Sequence, residues 1–218
     1  MIIPSLINHK LRYIVILVPK AGTRSLRDYF LFTTGEEYVC RNVQYGKIKK
    51  KYKNFYYTFA FTRNPYSRAV SFYLNKLIDP PQKIINRQLT PFELEPDISF
   101  EEFIKWLCNS PYGADGVDPH WSSQAGQIPK SVDFIGKLEN FNEDLLFAVK
   151  QIGIKDPKQI RHLNFTTESG SNYTEDYKYI EKPKDQGSVD FMSYYNDETL
   201  EMIQVRYKRD FKRFGYEM

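Results

Sequence analysis

The sequence predicts an α/β fold, with a central, mainly parallel sheet flanked by helices in one domain over residues 1–218. Three observations carry this. YIVILV, residues 13–18, is a continuous apolar run rich in β-branched side chains, which suits a strand buried on both faces. FYYTFAFTR, residues 55–63, is a second β-prone run, stopped by Asn64-Pro65. A helical pattern follows each run, and strands alternating with helices argue for parallel pairing. With 218 residues the chain can bury a core without disulfides or metal.

The elements follow in order. Pro19 ends the first run, and Ser25 is the expected cap of a helix over LRDYFLF. Residues 38–43 suit another short strand. From Ser67, RAVSFYLNKLI reads as a helix closed by Pro80-Pro81, and Pro91 and Pro96 mark 82–98 as loop. Ser99 caps FEEFIKWLC, with Glu102 completing a capping box. Residues 109–131 are rich in Gly, Pro, Ser and Asp and predict a long connection of the kind that carries function. VDFIGKLEN, 132–140, predicts a short strand, and FNEDLLFAVKQIG an amphipathic helix ending at Gly153. Residues 164–190 are polar and Tyr-rich, a loop. NDETLEMIQVRYKRDFKRFGY reads as a long closing helix, capped by Asn196 or Asp197 and stopping near Gly215. There is no internal repeat and no sign of a second domain.

Composition narrows the function classes. The formal charge of +4 permits an anionic ligand without demanding nucleic acid. The one dense basic run, KIKKKYK at 47–53, fits a solvated loop face or a landing site for something acidic. Cys40 and Cys108 form no metal or redox motif, and the three histidines are too dispersed for a metal cluster, so no metal is expected. The apolar run at 13–18 is too short to cross a bilayer, and the leading segment lacks signal-peptide character, so a cytoplasmic location is expected. Sequons at Asn164 and Asn172 would matter only in a secretory compartment.

Two strand ends carry the chemistry. In an α/β sheet, ligands collect beyond the carboxyl ends of the strands, where helix N-termini offer amides and a positive dipole end. PKAGTRS stands at such a place: Gly22 lets amides converge, Lys20 supplies a mobile charge, and Thr23 and Ser25 add hydroxyls. It is not a GxxxxGK[ST] loop, because its lysine precedes the glycine. Alone it fits a phosphate site or an ordinary strand–turn–helix junction. The second strand end, TRNPYSRAVSFY, sets Arg63 after a strand and Arg68 and Ser71 on the next helix, where they can grip a further phosphate or serve packing.

VPKAGTRSL resembles the 5′-phosphosulfate loop of the sulfotransferases that use 3′-phosphoadenosine 5′-phosphosulfate (PAPS), especially the carbohydrate (Golgi-type) enzymes and their bacterial relatives. TRNPYSRAVSFY is similar to the family's 3′-phosphate motif, matched by Arg63, Pro65, Arg68, Ser71 and Tyr73. DPHWSSQ at 118–124, FIGKLENFNEDL, RHLNFT at 161–166 and the closing helix extend the likeness over nearly the whole chain.

The resemblance implies a P-loop-like sulfotransferase fold and transfer of a sulfonate from PAPS to a hydroxyl of a carbohydrate or glycoconjugate. Lys20, Ala21, Gly22, Thr23, Arg24, Ser25 and Leu26 would line the 5′ side. Arg63 and Ser71 would hold the 3′-phosphate, and His162 and Asn164 would lie near the nucleotide. Arg24 departs from the pattern, where relatives often carry a hydroxyl residue. Lys20 would stabilise charge during transfer. His120 is the first choice for the base, beside Trp121, whose ring can stack on a sugar; Asp118, Glu102 and Glu139 are rivals. Regions 77–98 and 109–131 would wall the acceptor cleft, with Lys83 and Arg87 facing an acidic sugar. The alternatives are a P-loop-like nucleotide kinase, a nucleic-acid-binding module using 47–53, and a family relative that binds the product without chemistry.

Overall fold

The computed structural model describes residues 2–34, 38–44, 55–78, 98–155, 166–167, 170–171 and 190–218. The expected segment 47–53, His162, Asn164, Lys83 and Arg87 lie outside these. The chain has an α/β fold and divides into two compact units, Met1–Asn64 with Gln124–Arg161, and Pro65–Ser123 with His162–Met218. Each unit draws on two separate stretches of chain.

The first unit holds a five-stranded mixed sheet flanked by helices. Its strands are β1 (Ile2–Asn8), β2 (Tyr13–Ile16), β3 (Tyr38–Gln44), β4 (Tyr57–Thr62) and β5 (Phe134–Lys137). They lie in the order β3-β1-β2-β4-β5. β2, β4 and β5 run parallel, as the apolar runs predict, while β1 pairs antiparallel with both β2 and β3.

β1 is an addition to the sequence-based reading. Its hairpin to β2 carries no Asn-Gly or Asp-Gly signal. Instead Asn8 Oδ1 accepts from the Leu11 amide (2.8 Å), and Arg12 takes a left-handed conformation (φ 53°).

Side chains alternate along β2. Tyr13, Val15 and Leu17 enter one core with Leu26, Tyr29 and Phe30 of α1 (Thr23–Thr34) and Phe141, Leu145, Ala148 and Val149 of a later helix, Phe141–Gln151; Ile14 meets Ile7 and Tyr56 instead. Among these, Phe59 and Phe61 of β4 are fully buried, so the aromatic run is core. Gly136 is required by close packing: a Cβ there would stand 2.6 Å from the Phe61 ring.

The second unit is mostly helical. Pro65 opens α2 (Pro65–Tyr73), suiting the first helical position. The helix then widens into a π-helical segment, Leu74–Ile78. The capping box of Ser99 and Glu102 opens α3 (Phe100–Asn109) as expected. α4 (Gln124–Gln127) belongs to the first unit, as does α5, the Phe141–Gln151 helix.

Asn196 and Thr199 cap α6 (Asp197–Arg206), and the closing helix breaks at Tyr207 before α7 (Lys208–Phe214), which ends at left-handed Gly215. β6 (Thr166–Thr167) and β7 (Gly170–Ser171) form a short antiparallel pair in the segment expected as loop. The core of this unit joins Phe72, Tyr73, Phe103, Trp121, Ile203 and Phe211. Among the described residues no helix is long and apolar enough to cross a membrane.

Candidate active site

The 19–22 turn is built by strain. Beyond β2 the chain folds back, with the Ala21 amide donating to Val18 O (3.1 Å) and Thr23 Oγ1 to the same carbonyl (2.8 Å). Both Lys20 (φ 69°) and Gly22 (φ 78°) are left-handed. For glycine this is easy, and for lysine it stores of order 1–3 kcal/mol, a strain that clusters at functional sites. A Cβ at Gly22 would also stand 3.0 Å from Leu138 Cδ1 and 3.1 Å from the Phe141 ring.

Gly22 O receives the Leu26 amide (2.9 Å), so α1 starts here, two residues before Ser25, and Ser25 lies in the first turn rather than at the cap. Lys20, Gly22, Thr23 and Arg24 are partly exposed, while Ala21, Ser25 and Leu26 are buried. Leu26 belongs to the core with its side chain, leaving only its backbone for a ligand.

The second strand end is held by two side chains from distant sequence. Gln124, fully buried, forms a reciprocal amide pair with Arg63: Oε1 accepts from Arg63 N–H (2.9 Å) and Nε2 donates to Arg63 O (2.7 Å). Glu139 accepts from the Asn64 amide (2.7 Å). The Arg63 guanidinium reaches Lys20 O (3.4 Å), so this unit brings the two phosphate candidates, the Lys20 turn and Arg63, together. Gln124 and Glu139 are the supports that sequence reasoning left without these roles. The signal was their place in DPHWSSQ and GKLEN.

In the second unit, two expectations need correction. Arg68 is not gathered for a phosphate. It is buried, with Nη1 on Ser122 O (2.9 Å) and Nη2 on Pro119 O (3.0 Å). Burial pushes its pKa down, against the pull of Tyr207 and Asp210. Trp121 offers no ring to a sugar: it is 3% exposed, edge-on to Phe72 and Trp106, with Nε1 donating to Tyr112 O (3.2 Å). Ser71 is buried on α2, and Tyr73 donates to Ile98 O (2.8 Å).

His120 remains partly exposed. Its Nδ1 lies 2.7 Å from Asp118 Oδ1, and its amide donates to the same oxygen (2.7 Å). The Phe72 ring lies tilted to the imidazole at 6.4 Å. Burial raises the Asp118 carboxyl, but the bonds and charge of His120 and the charge of Lys76 outweigh it and hold the group below the usual carboxylate range. Of the rival carboxylates, Glu102 serves the α3 cap, Glu139 accepts from the Asn64 amide, and Asp118 touches the imidazole itself.

Against known families, the pattern described as "Sulfotransferase family" matches residues 5–217. The chain belongs to this sulfotransferase family. Human carbohydrate sulfotransferase 9 is 28% identical over 197 residues, covering 76% of this chain and 43% of that protein. Rat carbohydrate sulfotransferase 11 is 26% identical over 225 residues, covering 92% of this chain and 60% of the rat protein. An uncharacterised protein of Archaeoglobus fulgidus is 30% identical over 130 residues, 59% of this chain and 91% of its own length. The chain thus spans 43% to 60% of the length of these two named mammalian sulfotransferases. No solved structure matches it significantly.

Proposed function

We propose that this chain transfers the sulfonate group of PAPS to a hydroxyl of a carbohydrate or glycoconjugate. The observation that carries the reading is the strained Lys20 turn at the α1 N-terminus, joined to the clamped Arg63. Side chain, amides and helix dipole there suit an anion, and Arg63 suits a second phosphate. The family match runs through both compact units, which supports taking 1–218 as one sulfotransferase domain. The acceptor class follows the printed names of the mammalian relatives.

Lys20 and the residues through Leu26 hold the 5′ side in this reading, Arg63 and Ser71 the 3′-phosphate, and His162 and Asn164 the nucleotide. When bound, PAPS supplies the sulfonate. Lys20 offsets the charge that develops on the transferring oxygens and the leaving phosphate. His120 takes the proton of the acceptor hydroxyl. A sulfonate carries less charge than a terminal phosphate, so transfer proceeds in EDTA. A cytoplasmic location belongs to the same proposal, as the sequence reading expects; cell fractionation checks it.

The test is incubation with PAPS carrying labelled sulfonate and a panel of glycans, alongside calorimetric binding of 3′-phosphoadenosine 5′-phosphate (PAP). Transfer to at least one glycan and PAP binding are expected. Failure of both transfer and PAP binding would sink the reading.

Gln124 gives a finer check. Gln124→Leu removes both bonds that fix Arg63, and should weaken PAP about tenfold, in line with the ~1–3 kcal/mol of leaving such groups unsatisfied. Adenosine 5′-phosphate, which lacks the 3′-phosphate, should bind the variant as it binds the wild type. Equal weakening of both nucleotides would mean general damage instead of a misplaced Arg63.

A further inference from the structure

We infer that Asp118 is the positioning residue of His120, fixing its tautomer and aiming Nε2 at the acceptor hydroxyl. The inference deepens the proposed function and rests on its reading of His120 as the base.

The geometry is local and over-determined. Asp118 Oδ1 meets both the amide and Nδ1 of His120, each at 2.7 Å, so the ring is tied to its own backbone turn. A carboxylate can only accept, so the neutral ring must carry its proton on Nδ1. The acceptor lone pair is then on Nε2, the nitrogen a general base needs.

The segment holding the pair is locked. Asp118 O accepts from the Ser122 amide (2.9 Å) and Ser122 Oγ (2.5 Å). Arg68 pins Pro119 O and Ser122 O from below, and the Gly116 amide donates to Ser122 Oγ (2.8 Å).

A charge reaches this pair from a further element. Lys76, a buried lysine in the π-helical segment, acts on Asp118 and favours its ionised form. Phe72 on α2 supplies an apolar wall. π-helical turns recur at functional sites, and here the turn carries a lysine whose charge adds to the His120 bonds that favour ionised Asp118. The His120 and Asp118 side chains are 32% and 23% exposed, so their coupling is partly screened.

The test uses the intact protein. The chain has three histidines, so the His120 resonances can be assigned with a single His120→Gln variant. In its neutral form, wild-type His120 should show the Nδ1–H tautomer by nitrogen NMR. A dominant Nε2–H tautomer overturns the inference, and that reading needs no folded variant.

Asp118→Asn keeps the shape but replaces the acceptor-only carboxylate with an amide that can turn to offer a donor. The preference for the Nδ1–H tautomer should weaken. The kcat should fall about tenfold or more with little change in KM, and Asp118→Glu should restore part of it. An unchanged tautomer balance in folded Asp118→Asn also overturns the inference. The tautomer is read without donor or acceptor. If it behaves as expected while no glycan is ever sulfated, the pairing stands and the sulfotransferase reading fails.

Discussion

Lys20→Gly is expected to lower sulfonate transfer by about a hundredfold or more while making the fold more stable. The two effects come from one residue doing two opposed things. In the proposed reaction its ammonium offsets the charge that grows during transfer, and removing a preorganised donor of that kind costs about a hundred- to a thousandfold. Its backbone, at φ 69°, sits where a Cβ is disfavoured. Relief of that strain, of order 1–2 kcal/mol, exceeds the extra unfolded-state entropy of glycine, leaving a gain of about 0.5–1 kcal/mol.

Lys20→Ala should lose the same activity with no gain in stability, since alanine keeps the strain. His120→Ala should also lose about a hundredfold or more, but with a different signature: the acid limb of the pH profile disappears, while in both Lys20 variants it persists. Urea denaturation and a pH–rate series read all three. A stable, fully active Lys20→Gly would remove lysine from the chemistry and leave the turn as a structural junction.

The contrast between what the sequence showed and what it hid follows contact range. The Lys20 turn was legible because its strand, its glycine and its helix are contiguous. So were the capping box at Ser99, a cap at Asn196 or Asp197, and the core character of 13–18 and 55–63. β1 was hidden because Pro4 argues against a strand. Yet the β1–β2 register begins at Ser5 opposite Ile16, and just beyond it Pro4 need only accept, from the Leu17 amide (2.9 Å). The clamps on Arg63 and Asn64 come from residues 61 and 75 positions away, so no local pattern reveals them. The motif resemblance flagged Gln124 and Glu139 as notable, but only geometry assigns them to backbone groups. Trp121 misled for a similar reason. Its place beside His120 suggested an exposed ring, whereas the packing of Phe72 and Trp106 decides its burial.

Arg68→Met is expected to destabilise the protein by about 3–5 kcal/mol, a large share of the roughly 5–15 kcal/mol that holds a typical domain together. Methionine fills the same space, so the loss is polar. Two carbonyls, Pro119 O and Ser122 O, would lose their donors. Asp210, 0% exposed and bound by Ser123 Oγ at 2.6 Å, would lose one of the cations whose charge reaches it, Arg213 being another. Neutralising the buried acid relieves part of that imbalance, so Arg68→Met with Asp210→Asn should recover part of the loss.

Arg68→Lys separates the strap from a phosphate ligand. A lysine keeps the charge but cannot fork to two carbonyls, so stability should fall by a smaller amount and kcat should drop as the 119–122 segment loosens around His120. PAP affinity should hold, because Arg68 is committed to the protein's own carbonyls. Chemical denaturation and PAP calorimetry decide between the two. An Arg68→Lys variant of wild-type stability that binds PAP poorly would return Arg68 to the nucleotide and leave the 119–122 segment to its other bonds, among them those of Ser122, Asp118 and Tyr207.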